Sequence, residues 1–289
     1  MISHAVVVAF EPDLQAFRSV LESLCRQYDR VALVDNSHRP VTAQIAFQCG
    51  VEYIYSGGNV GLAAALNAGI AQLRPAPDDV VSCFDQDTEP AANYLSVLLD
   101  FMRRHPAWPR VVAQGSHFSP GRPNLAKGST DDAHRLLTSG LTLSSQSLSD
   151  IGPFREDFFV DVVDFEFSAR ARRAGYTLAV CETADMTHGF GDASRRRRSW
   201  LLRTATSGHG RRRHYWIGRN STLLCADPEV RRLRPPVVTS SELFRWWLGE
   251  VTSGRDGIRN GMAMLRGVLD AHQGVSAPLI YRFEASSEP

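Results

Sequence analysis

Two carboxylates one residue apart follow an apolar run in the segment VVSCFDQD, which ends in the triplet Asp85-Gln86-Asp87. Carboxylates in this arrangement can share one divalent cation through oxygen ligands, and a diphosphate can complete the shell of such a metal. A D-x-D triplet by itself is more often a solvated turn. The position of this triplet directly after a predicted strand is therefore the feature that favours a metal site.

Two other apolar runs also end in polar residues. Asp35 follows the run 31–34, and Asn59 follows the run 51–55 after a glycine turn. The Asp35 carboxylate can accept the imide N–H of uracil or thymine, or it can cap the next helix. The segment 59–69, NVGLAAALNAG, can present helix amides to an anion, or its small residues can pack a helix closely on a sheet.

Strands and helices alternate through the first half of the chain. Apolar runs predict strands at residues 4–10, 31–34, 51–55 and 80–84, and helical spacing predicts helices at 14–24, 41–48, 62–73 and 90–102. This alternation predicts an α/β fold with a mostly parallel, doubly wound sheet flanked by helices. Ligands of such sheets bind at the carboxyl ends of the strands, so the polar residues at the strand ends are expected along one edge.

The second half is less regular. Its composition predicts a loop at 115–133, a strand at 136–143 interrupted by Gly140, a helix at 161–174 followed by Gly175, a strand at 176–181, and helices at 241–250 and 257–271. Asp161 and Asp164 share one face of the predicted helix, and either carboxylate can serve as a general base in a cleft. Acidic residues are also common in the first turn of a helix because they interact favourably with the helix dipole, without any catalytic role.

Two more residues of this half have side chains that could take part in proton transfer or metal binding. Glu166 can pair with Arg170 one turn further along the helix, which leaves it less suited to act as the base. His188, in the segment MTHGFGD, is either a third metal ligand or a structural histidine.

Taken in order, these segments resemble a family 2 glycosyltransferase, and more narrowly its bacterial rhamnosyltransferase branch. The resemblance covers roughly residues 5–225 and rests on the segments VVVAFEPD, VDNS, GGNVGLAAALNAGI, FDQD, TSG, IGPFREDFFVDVVDFEFSARARRAGY, THGFGD and HYWIGRN. It implies a GT-A fold with C-terminal helices and an inverting transfer from a nucleoside-diphosphate sugar. The implied donor is dTDP-rhamnose, with another dTDP- or UDP-sugar as the alternative, and the implied acceptor is a hydroxyl of a saccharide or lipid-linked saccharide.

The resemblance also assigns roles to individual residues. Asp164 takes the position of the catalytic base, and Asp87 and His188 take the positions that hold a divalent metal, Mn²⁺ or Mg²⁺. The nucleotide sugar would be bound by Phe10, Asp35, Asn59, Gly61, Asn67, Asp85 and Gln86. The acceptor or a lid would involve Ser139, Gly140, Asp161 and Arg219. The implied parts are a nucleotide-sugar-binding half at 1–114, an acceptor-binding and catalytic half at 115–225, and a helical extension at 226–289.

The sequence departs from the family pattern at two places. Phe10-Glu11 stands where the family usually has Tyr-Asn, and Val163-Asp164 stands where it usually has Glu-Asp, although rhamnosyltransferase-like members share the latter change. The Gln-x-x-Arg-Trp motif of processive synthases is absent. The resemblance therefore implies one transfer per binding event.

Composition excludes several classes of protein. The net charge of +1 disfavours a globally basic nucleic-acid binder. Five widely spaced cysteines without a C-x-x-C pair disfavour both a disulfide framework and a zinc site. We find no apolar run long enough to span a membrane, and the N-terminal apolar run is too short for a signal peptide. We therefore expect a cytoplasmic protein, with a peripheral position at the inner face of the cytoplasmic membrane as the alternative.

Two arginine runs, 195–198 and 211–213, leave three interpretations open: a solvated loop, a lid that closes on the diphosphate, and attraction to anionic lipid. The apolar residues at 243–248 can seat in a membrane interface or pack in the core, and core packing is slightly favoured. Two rival functions fit the sequence less well. Nucleic-acid binding through the arginine runs leaves the acidic strand ends unexplained, and a nucleotidyltransferase would carry a Gly-rich basic loop where Glu11-Pro12-Asp13 stands.

Overall fold

The computed structural model describes residues 1–118, 133–188, 209–253 and 255–275. Its strands are β1 (Ser3–Ala9), β2 (Arg30–Asp35), β3 (Glu52–Tyr55), β4 (Val80–Asp85), β5 (Thr88–Pro90), β6 (Val111–Phe118), β7 (Leu141–Ser144) and β8 (Thr177–His188). Its helices are α1 (Leu14–Cys25), α2 (Ala43–Cys49), α3 (Leu62–Leu73), α4 (Tyr94–Arg104), α5 (Ser145–Ile151), α6 (Val163–Arg173), α7 (Arg211–Ala226), α8 (Pro228–Arg231), α9 (Ser240–Val251) and α10 (Arg255–Gln273), with a 3₁₀ turn at Glu156–Phe158.

The strands form one eight-stranded sheet in the order β3-β2-β1-β4-β7-β6-β8-β5. β1 pairs in parallel with β2 and β4, and β6 pairs in parallel with β8. β7 runs antiparallel to β4 and β6, and β5 runs antiparallel to β8. This arrangement confirms the predicted mostly parallel sheet, and it brings the carboxyl ends of β1, β2, β3 and β4 to one edge.

Helices cover both faces of the sheet. Every residue of β1 is buried, which is the pattern expected of a strand packed on two sides. Helix α3 lies directly on β1, because a Cβ added at Gly69 would stand 2.4 Å from Cγ1 of Val6. This contact confirms that small residues in the segment 59–69 allow close packing of helix on sheet.

The structure corrects three of the predicted elements. The helix predicted at 90–102 begins only at Tyr94, because Thr88–Pro90 is taken up by pairing with β8. The strand predicted at 136–143 is shortened to Leu141–Ser144, because Gly140 adopts a φ of +80° and turns the chain before it. The loop predicted at 115–133 is wrong in its first part, where β6 continues to Phe118, and residues 119–132 lie outside the described ranges.

Two further corrections concern the second half. The helix predicted from residue 161 begins at Val163, because Asp161 and Val162 adopt φ values of +59° and +64°. The arginine run 211–213 forms the first turn of α7 rather than a loop, whereas the run 195–198 lies outside the described residues. The predicted Gly175 terminus is confirmed, with Gly175 at a φ of +81° after α6.

The C-terminal helices pack on the rest of the chain through α7. A Cβ added at Gly218 of α7 would lie 2.2 Å from the Met264 carbonyl oxygen, and one added at Gly267 of α10 would lie 2.1 Å from the Tyr215 carbonyl oxygen. The two helices therefore touch backbone to backbone. β6 crosses residue 114, so residues 1–114 and 115–225 contribute to one sheet, and the three-part division of the chain stays a prediction. Among the helices that the structure describes, none has the length and apolar character needed to cross a bilayer.

Candidate active site

The Asp85-Gln86-Asp87 triplet comprises the last residue of β4 and the two-residue turn to β5, at the carboxyl edge of the sheet. The Asp85 N–H donates to Oγ of Ser139 at 3.0 Å, and Oγ of Ser139 donates to Oγ1 of Thr88 at 2.7 Å. Thr88 pairs in register with His188, whose backbone is thereby placed next to the triplet, while its side chain lies outside the described part. The 2% exposed Ser139 thus holds both ends of the turn.

Gly140 and Tyr94 support this turn from below. The Gly140 N–H donates to the Cys83 carbonyl at 2.7 Å, and the Tyr94 hydroxyl donates to the Gly140 carbonyl at 2.7 Å. A Cβ at Gly140 would lie 2.6 Å from that hydroxyl oxygen. Ser139 contacts the Asp85-Gln86-Asp87 turn and Gly140 contacts the strand just before it, and their predicted role as acceptor or lid residues stays a prediction.

Gln86 joins the triplet to the end of β1. Its Oε1 accepts the Phe10 N–H at 2.6 Å, which brings together two residues predicted to bind the nucleotide sugar. The Phe10 side chain is 38% exposed, and its ring centroid lies 5.4 Å from that of His38. An aromatic face is therefore available at this edge of the sheet.

The carboxylate of Asp35 is buried and saturated with protein donors. Oδ1 accepts the Ser37 N–H at 3.1 Å, and Oδ2 accepts the N–H and hydroxyl of Thr42, both at 2.8 Å, and the Tyr53 hydroxyl at 3.1 Å. Burial and the Asp35 charge raise the pKa of Tyr53 to about 12. These contacts agree with the structural alternative, in which Asp35 organises the loop that leads to α2. A role in reading the base stays a prediction.

The first amides of α3 are occupied within the protein. Asn59 Oδ1 accepts the Gly61 N–H at 3.0 Å, and the Leu62 N–H donates to the Phe159 carbonyl at 2.6 Å. Gly61 adopts a φ of +91°, and a Cβ there would lie 2.6 Å from the Phe159 ring. The expectation that this helix end presents its amides to an anion is therefore wrong for Leu62, because the Phe159 carbonyl already accepts that N–H.

Asn67 also ties α3 to the second half of the chain. Its Nδ2 donates to the Phe154 carbonyl and its Oδ1 accepts the Phe154 N–H, both at 2.9 Å. A cleft of about 830 Å³ opens beside this helix. Its lining includes Ser56, Asn59, Asn67, Asp157, Phe159 and Trp216. Two of the predicted nucleotide-pocket residues thus share a cleft.

An acidic cluster with one arginine lies where α6 begins. Arg213, in the first turn of α7, donates from Nε to Oδ2 of Asp161 at 3.0 Å and from Nη2 to Oδ1 at 2.5 Å. Asp164 is the second residue of α6, and its Oδ1 accepts the Phe165 N–H at 2.9 Å. Asp85 is close enough to interact electrostatically with both Asp164 and Arg213. The cluster therefore joins the predicted metal site at Asp85 to the predicted base, Asp164.

The pKa values of the aspartates in α6 and in its preceding turn are shifted in opposite directions. Burial raises the pKa of Asp164 from 3.8 to about 7, and the negative charges of Asp161 and Asp85 add to the rise, against a hydrogen bond from the Phe165 amide. Burial also acts to raise the pKa of Asp161, but the attraction and hydrogen bonds of Arg213 outweigh it and hold that pKa below 3.8. A carboxylate with a pKa near neutrality is suited to accept a proton, so Asp164 fits the base and Asp161 the permanent anion.

The turn before α6 is strained. Phe159, Asp161 and Val162 all have positive φ values, of +53°, +59° and +64°. A β-branched residue such as Val162 in this region is a genuine outlier, and such strain persists only where the surrounding structure enforces it. The strained turn therefore needs an external clamp.

Asn220 and Arg219 of α7 provide that clamp. The buried Asn220 amide nitrogen donates to the carbonyls of Phe158 at 2.7 Å, Val160 at 3.1 Å and Asp161 at 2.9 Å. Nη1 of Arg219 donates to the Asp157 carbonyl at 3.0 Å. Arg219 is 9% exposed and contacts the turn, and its predicted role as an acceptor or lid residue stays a prediction.

Glu166 pairs with Arg170 as predicted, through two hydrogen bonds of 2.8 Å. Sequence reasoning missed the pairing of Arg213 with Asp161, since nothing in the sequence connects residues 52 positions apart. It noted Asn220 within the segment HYWIGRN but assigned it no contact. The order and spacing of motifs located the region, and the structure supplied the partners.

Asp85 and Asp87 fit a divalent metal only if a bound diphosphate supplies part of its ligands. Within the described ranges, no group of three His, Cys, Asp or Glu side chains is arranged to hold a metal ion. Asp85 and Asp87 are half-buried at the edge and offer carboxylate oxygens. Mg²⁺ is commonly held by one or two carboxylates together with substrate phosphates. The triplet fits a metal that is shared with a diphosphate rather than one held by protein ligands alone.

Comparisons with known proteins point to one family. The family model "Glycosyl transferase family 2" matches residues 5–148. The "dTDP-rhamnosyl transferase RfbF" of Shigella flexneri is 26% identical over 207 residues, which cover 66% of this chain and 70% of that protein.

Solved structures show the same fold at low identity. The crystal structure of S. aureus TarS 1-349 in complex with UDP-GlcNAc superposes with a TM-score of 0.54 at 13% identity, over 95% of this chain and 93% of that one. The crystal structure of S. aureus TarS also gives a TM-score of 0.54, at 12% identity, and this chain spans 44% of its length. The likeness confirms the predicted GT-A fold.

Proposed function

The chain belongs to glycosyl transferase family 2, and from this premise we propose that it transfers L-rhamnose from dTDP-rhamnose, with inversion, to a saccharide or lipid-linked saccharide. The observation that carries the proposal is the pair of aspartates at α6, one held ionised by Arg213 and one with a pKa raised to about 7. The choice of rhamnose is supported by the similarity to RfbF, which is named a dTDP-rhamnosyl transferase. The donor alternative is another dTDP- or UDP-sugar.

The donor would lie along the carboxyl edge of the sheet. Phe10 and Gln86 stand together there and offer an aromatic face and an amide to the nucleotide. Asp87, with Asp85 directly or through water, would hold a Mn²⁺ or Mg²⁺ ion, which supplies charge neutralisation for the diphosphate leaving group. Ser139 keeps the triplet in place through its bonds to the Asp85 amide and the Thr88 hydroxyl.

The acceptor hydroxyl would be activated by Asp164. Its carboxylate accepts the proton while the hydroxyl oxygen attacks the anomeric carbon, and the bond from that carbon to the diphosphate oxygen breaks on the opposite side. This single displacement inverts the anomeric centre, so a β-linked rhamnosyl donor gives an α-rhamnoside. Arg213 keeps Asp161 ionised, and the Asp161 charge favours the protonated form of Asp164 that results from the step.

The test is a donor scan with purified protein. Nucleoside-diphosphate release is measured for dTDP-rhamnose and for a set of UDP- and dTDP-sugars, with Mn²⁺, with Mg²⁺ and with a chelator. Nuclear magnetic resonance of the product gives the anomeric configuration. We expect dTDP-rhamnose to be preferred, an α-linked product and loss of activity with the chelator. Preference for another sugar replaces the donor, and retention of configuration contradicts the single displacement.

The role of Asp164 is tested separately with a matched pair of variants. Asp164→Asn keeps the shape of the side chain, and we expect turnover to fall about a hundredfold or more while nucleotide affinity stays within a few-fold. Asp161→Asn is expected to lower turnover less, because its carboxylate acts through charge and position. If Asp161→Asn lost the activity and Asp164→Asn kept it, Asp161 would be the base.

A further inference from the structure

Helix α10 exposes a continuous apolar stripe to solvent. Ile258, Met262, Leu265 and Leu269 are 53%, 57%, 45% and 55% exposed. Their spacing of four, three and four residues places them on one side of the helix. The opposite side is already used, since Gly267 packs against the backbone of α7. The stripe is therefore an apolar face that the described part of the chain leaves uncovered.

Phe244 of helix α9 extends this face, whereas Trp246, two residues further on, stands about 200° around the helix from it. Phe244 is 58% exposed and Trp246 is 38% exposed, so the interpretation of residues 243–248 as core is wrong for these two aromatics. Nε1 of Trp247 donates to the Gly261 carbonyl at 3.2 Å, which fixes α9 alongside α10. Tryptophan and phenylalanine are typical of helices that lie in the interface between water and lipid.

Arginines border the apolar face. Arg259 and Arg266 are seven residues apart on α10 and lie directly beside the stripe, and Arg245 is exposed between Phe244 and Trp246. Nε of Arg266 pairs with Oδ1 of Asp270 at 2.8 Å. Three of the four acidic side chains of α9 and α10 are withdrawn from solvent: Glu250 and Asp270 are buried, and Glu242 is 22% exposed and paired with Arg135. Asp256 is the exposed carboxylate within the described residues of these helices. The face is therefore apolar with a cationic border.

We propose that this face of α9 and α10 docks on an anionic lipid surface. Apolar side chains beside arginines match a bilayer whose headgroups carry negative charge. A second copy of the chain matches less well, because it would bring the same arginines and few exposed carboxylates to pair with them. Lipid is thus the occupant that satisfies both the stripe and its border.

Helix α10 also reaches the acidic cluster, from the side opposite the docking face, where the buried Asn260 lies. Nδ2 of Asn260 donates to the His209 carbonyl at 3.3 Å, and Nδ1 of His209 lies 3.0 Å from Nη1 of Arg213, which holds Asp161. Docking would therefore hold the acidic cluster about 10 Å, one helix diameter, above the membrane surface, where a lipid-linked saccharide is presented. This purpose rests on the proposed glycosyl transfer, whereas the docking itself does not.

The test is vesicle flotation without donor or acceptor. We expect the protein to float with vesicles of phosphatidylcholine mixed with phosphatidylglycerol and to bind pure phosphatidylcholine much more weakly. The double change Met262→Gln and Leu265→Gln is expected to lower the partition coefficient about tenfold or more, because it removes half of the stripe. Phe47→Gln is the matched control, since Phe47 is 87% exposed on α2, and it should leave binding unchanged.

Separate variants test how much the arginines contribute to vesicle binding. Arg245→Gln and Arg259→Gln are each expected to reduce binding to the anionic vesicles about fivefold, with little effect on neutral ones. Arg231→Gln, an exposed arginine of α8, is the control. Activity on a soluble acceptor should survive in all these variants, so a failure of docking and a failure of the proposed transfer are separable.

Two outcomes would overturn the inference. One is binding to anionic vesicles that the stripe and arginine variants leave unchanged. The other is an absence of vesicle binding together with a dimer, measured by light scattering, that the Met262→Gln and Leu265→Gln change dissociates. The second outcome would assign the stripe to a second copy of the chain.

Discussion

Replacing Asp164 by asparagine should make the protein more stable at neutral and alkaline pH while it removes activity. Burial and the neighbouring charges of Asp161 and Asp85 raise the pKa of Asp164 to about 7, so its ionised form is disfavoured in the folded protein. Asparagine resembles the protonated acid and can still accept the Phe165 N–H through its oxygen. The substitution therefore removes an unfavourable charge and keeps the hydrogen bond.

The size and sign of the effect follow from proton binding. The unfolded chain loses the Asp164 proton near pH 3.8 and the folded chain near pH 7, so the folded state binds more protons between these values. The free energy of unfolding of the wild type accordingly falls as pH rises from about 4 to about 7 and then levels off. A difference of roughly three pKa units corresponds to about 4 kcal/mol as an upper value. For a chain of this size that is a gain in Tm of roughly 10 °C at most.

The assay is thermal unfolding of wild type and Asp164→Asn at several pH values, combined with steady-state kinetics. We expect equal Tm values near pH 4, a growing advantage of the variant toward pH 8, and turnover lower by about a hundredfold or more. Asp161→Asn is the contrasting variant. Since Arg213 holds the pKa of Asp161 low, its loss should destabilise the protein at neutral pH.

A Tm of Asp164→Asn equal to or below that of the wild type at pH 8 would refute the reasoning. It would mean that the Asp164 carboxylate is well solvated or well paired in the folded state. The base would then have to be sought elsewhere in the cluster. A parallel loss of stability in both aspartate variants would have the same meaning, because the opposite shifts of the two pKa values require opposite effects.

Four further predictions concern other parts of the site. The pH dependence of kcat/KM should rise through an apparent pKa near 7, because Asp164 must be ionised to accept a proton, and initial rates between about pH 5 and 9 measure it. Asp87→Ala should abolish metal-dependent nucleotide binding in calorimetry without lowering Tm, and unchanged dTDP or UDP affinity with Mn²⁺ would count against the metal role. Asp35→Ala should lower the free energy of unfolding by about 2–4 kcal/mol in denaturant titrations, since it leaves the buried donors of Thr42 and the half-buried Tyr53 hydroxyl without an acceptor. Asn220→Leu should lower both turnover and Tm, and normal turnover in a folded variant would show that the strained turn needs no clamp.

The sheet was the part of the fold that sequence patterns could predict well. β1, β2 and β4 are buried apolar runs bounded by polar residues, and α3 begins and ends at the residues where it was predicted. β6 was missed because its second half, QGSHF, lacks the apolar continuity of the other strands. β5 has three residues, too few for any periodic pattern to reveal.

The candidate site could be located from the sequence but its contacts could not. Apolar patterning extended the helix of Asp164 back to Asp161, although the chain adopts left-handed φ values at Asp161 and Val162 that residue preferences oppose. A carboxylate such as Asp35 can bind a nucleobase or stabilise a loop, and its residue type does not distinguish the two roles. Its burial among protein donors is seen only in the fold. Pairings such as Arg213 with Asp161 depend on the packing of α7 beside α6.

The backbone contact between α7 and α10 limits how this enzyme can be recombined with its relatives. Gly218 and Gly267 meet the opposite backbone so closely that no other residue fits without moving a helix. The same α7 carries Arg213 toward the acidic cluster and Asn220 toward the strained turn. A chimera that exchanges only the residues after 226 would therefore mismatch the helix that holds the acidic cluster and the strained turn. Exchanges with relatives should carry α7, α9 and α10 as one unit, together with the turn that α7 holds.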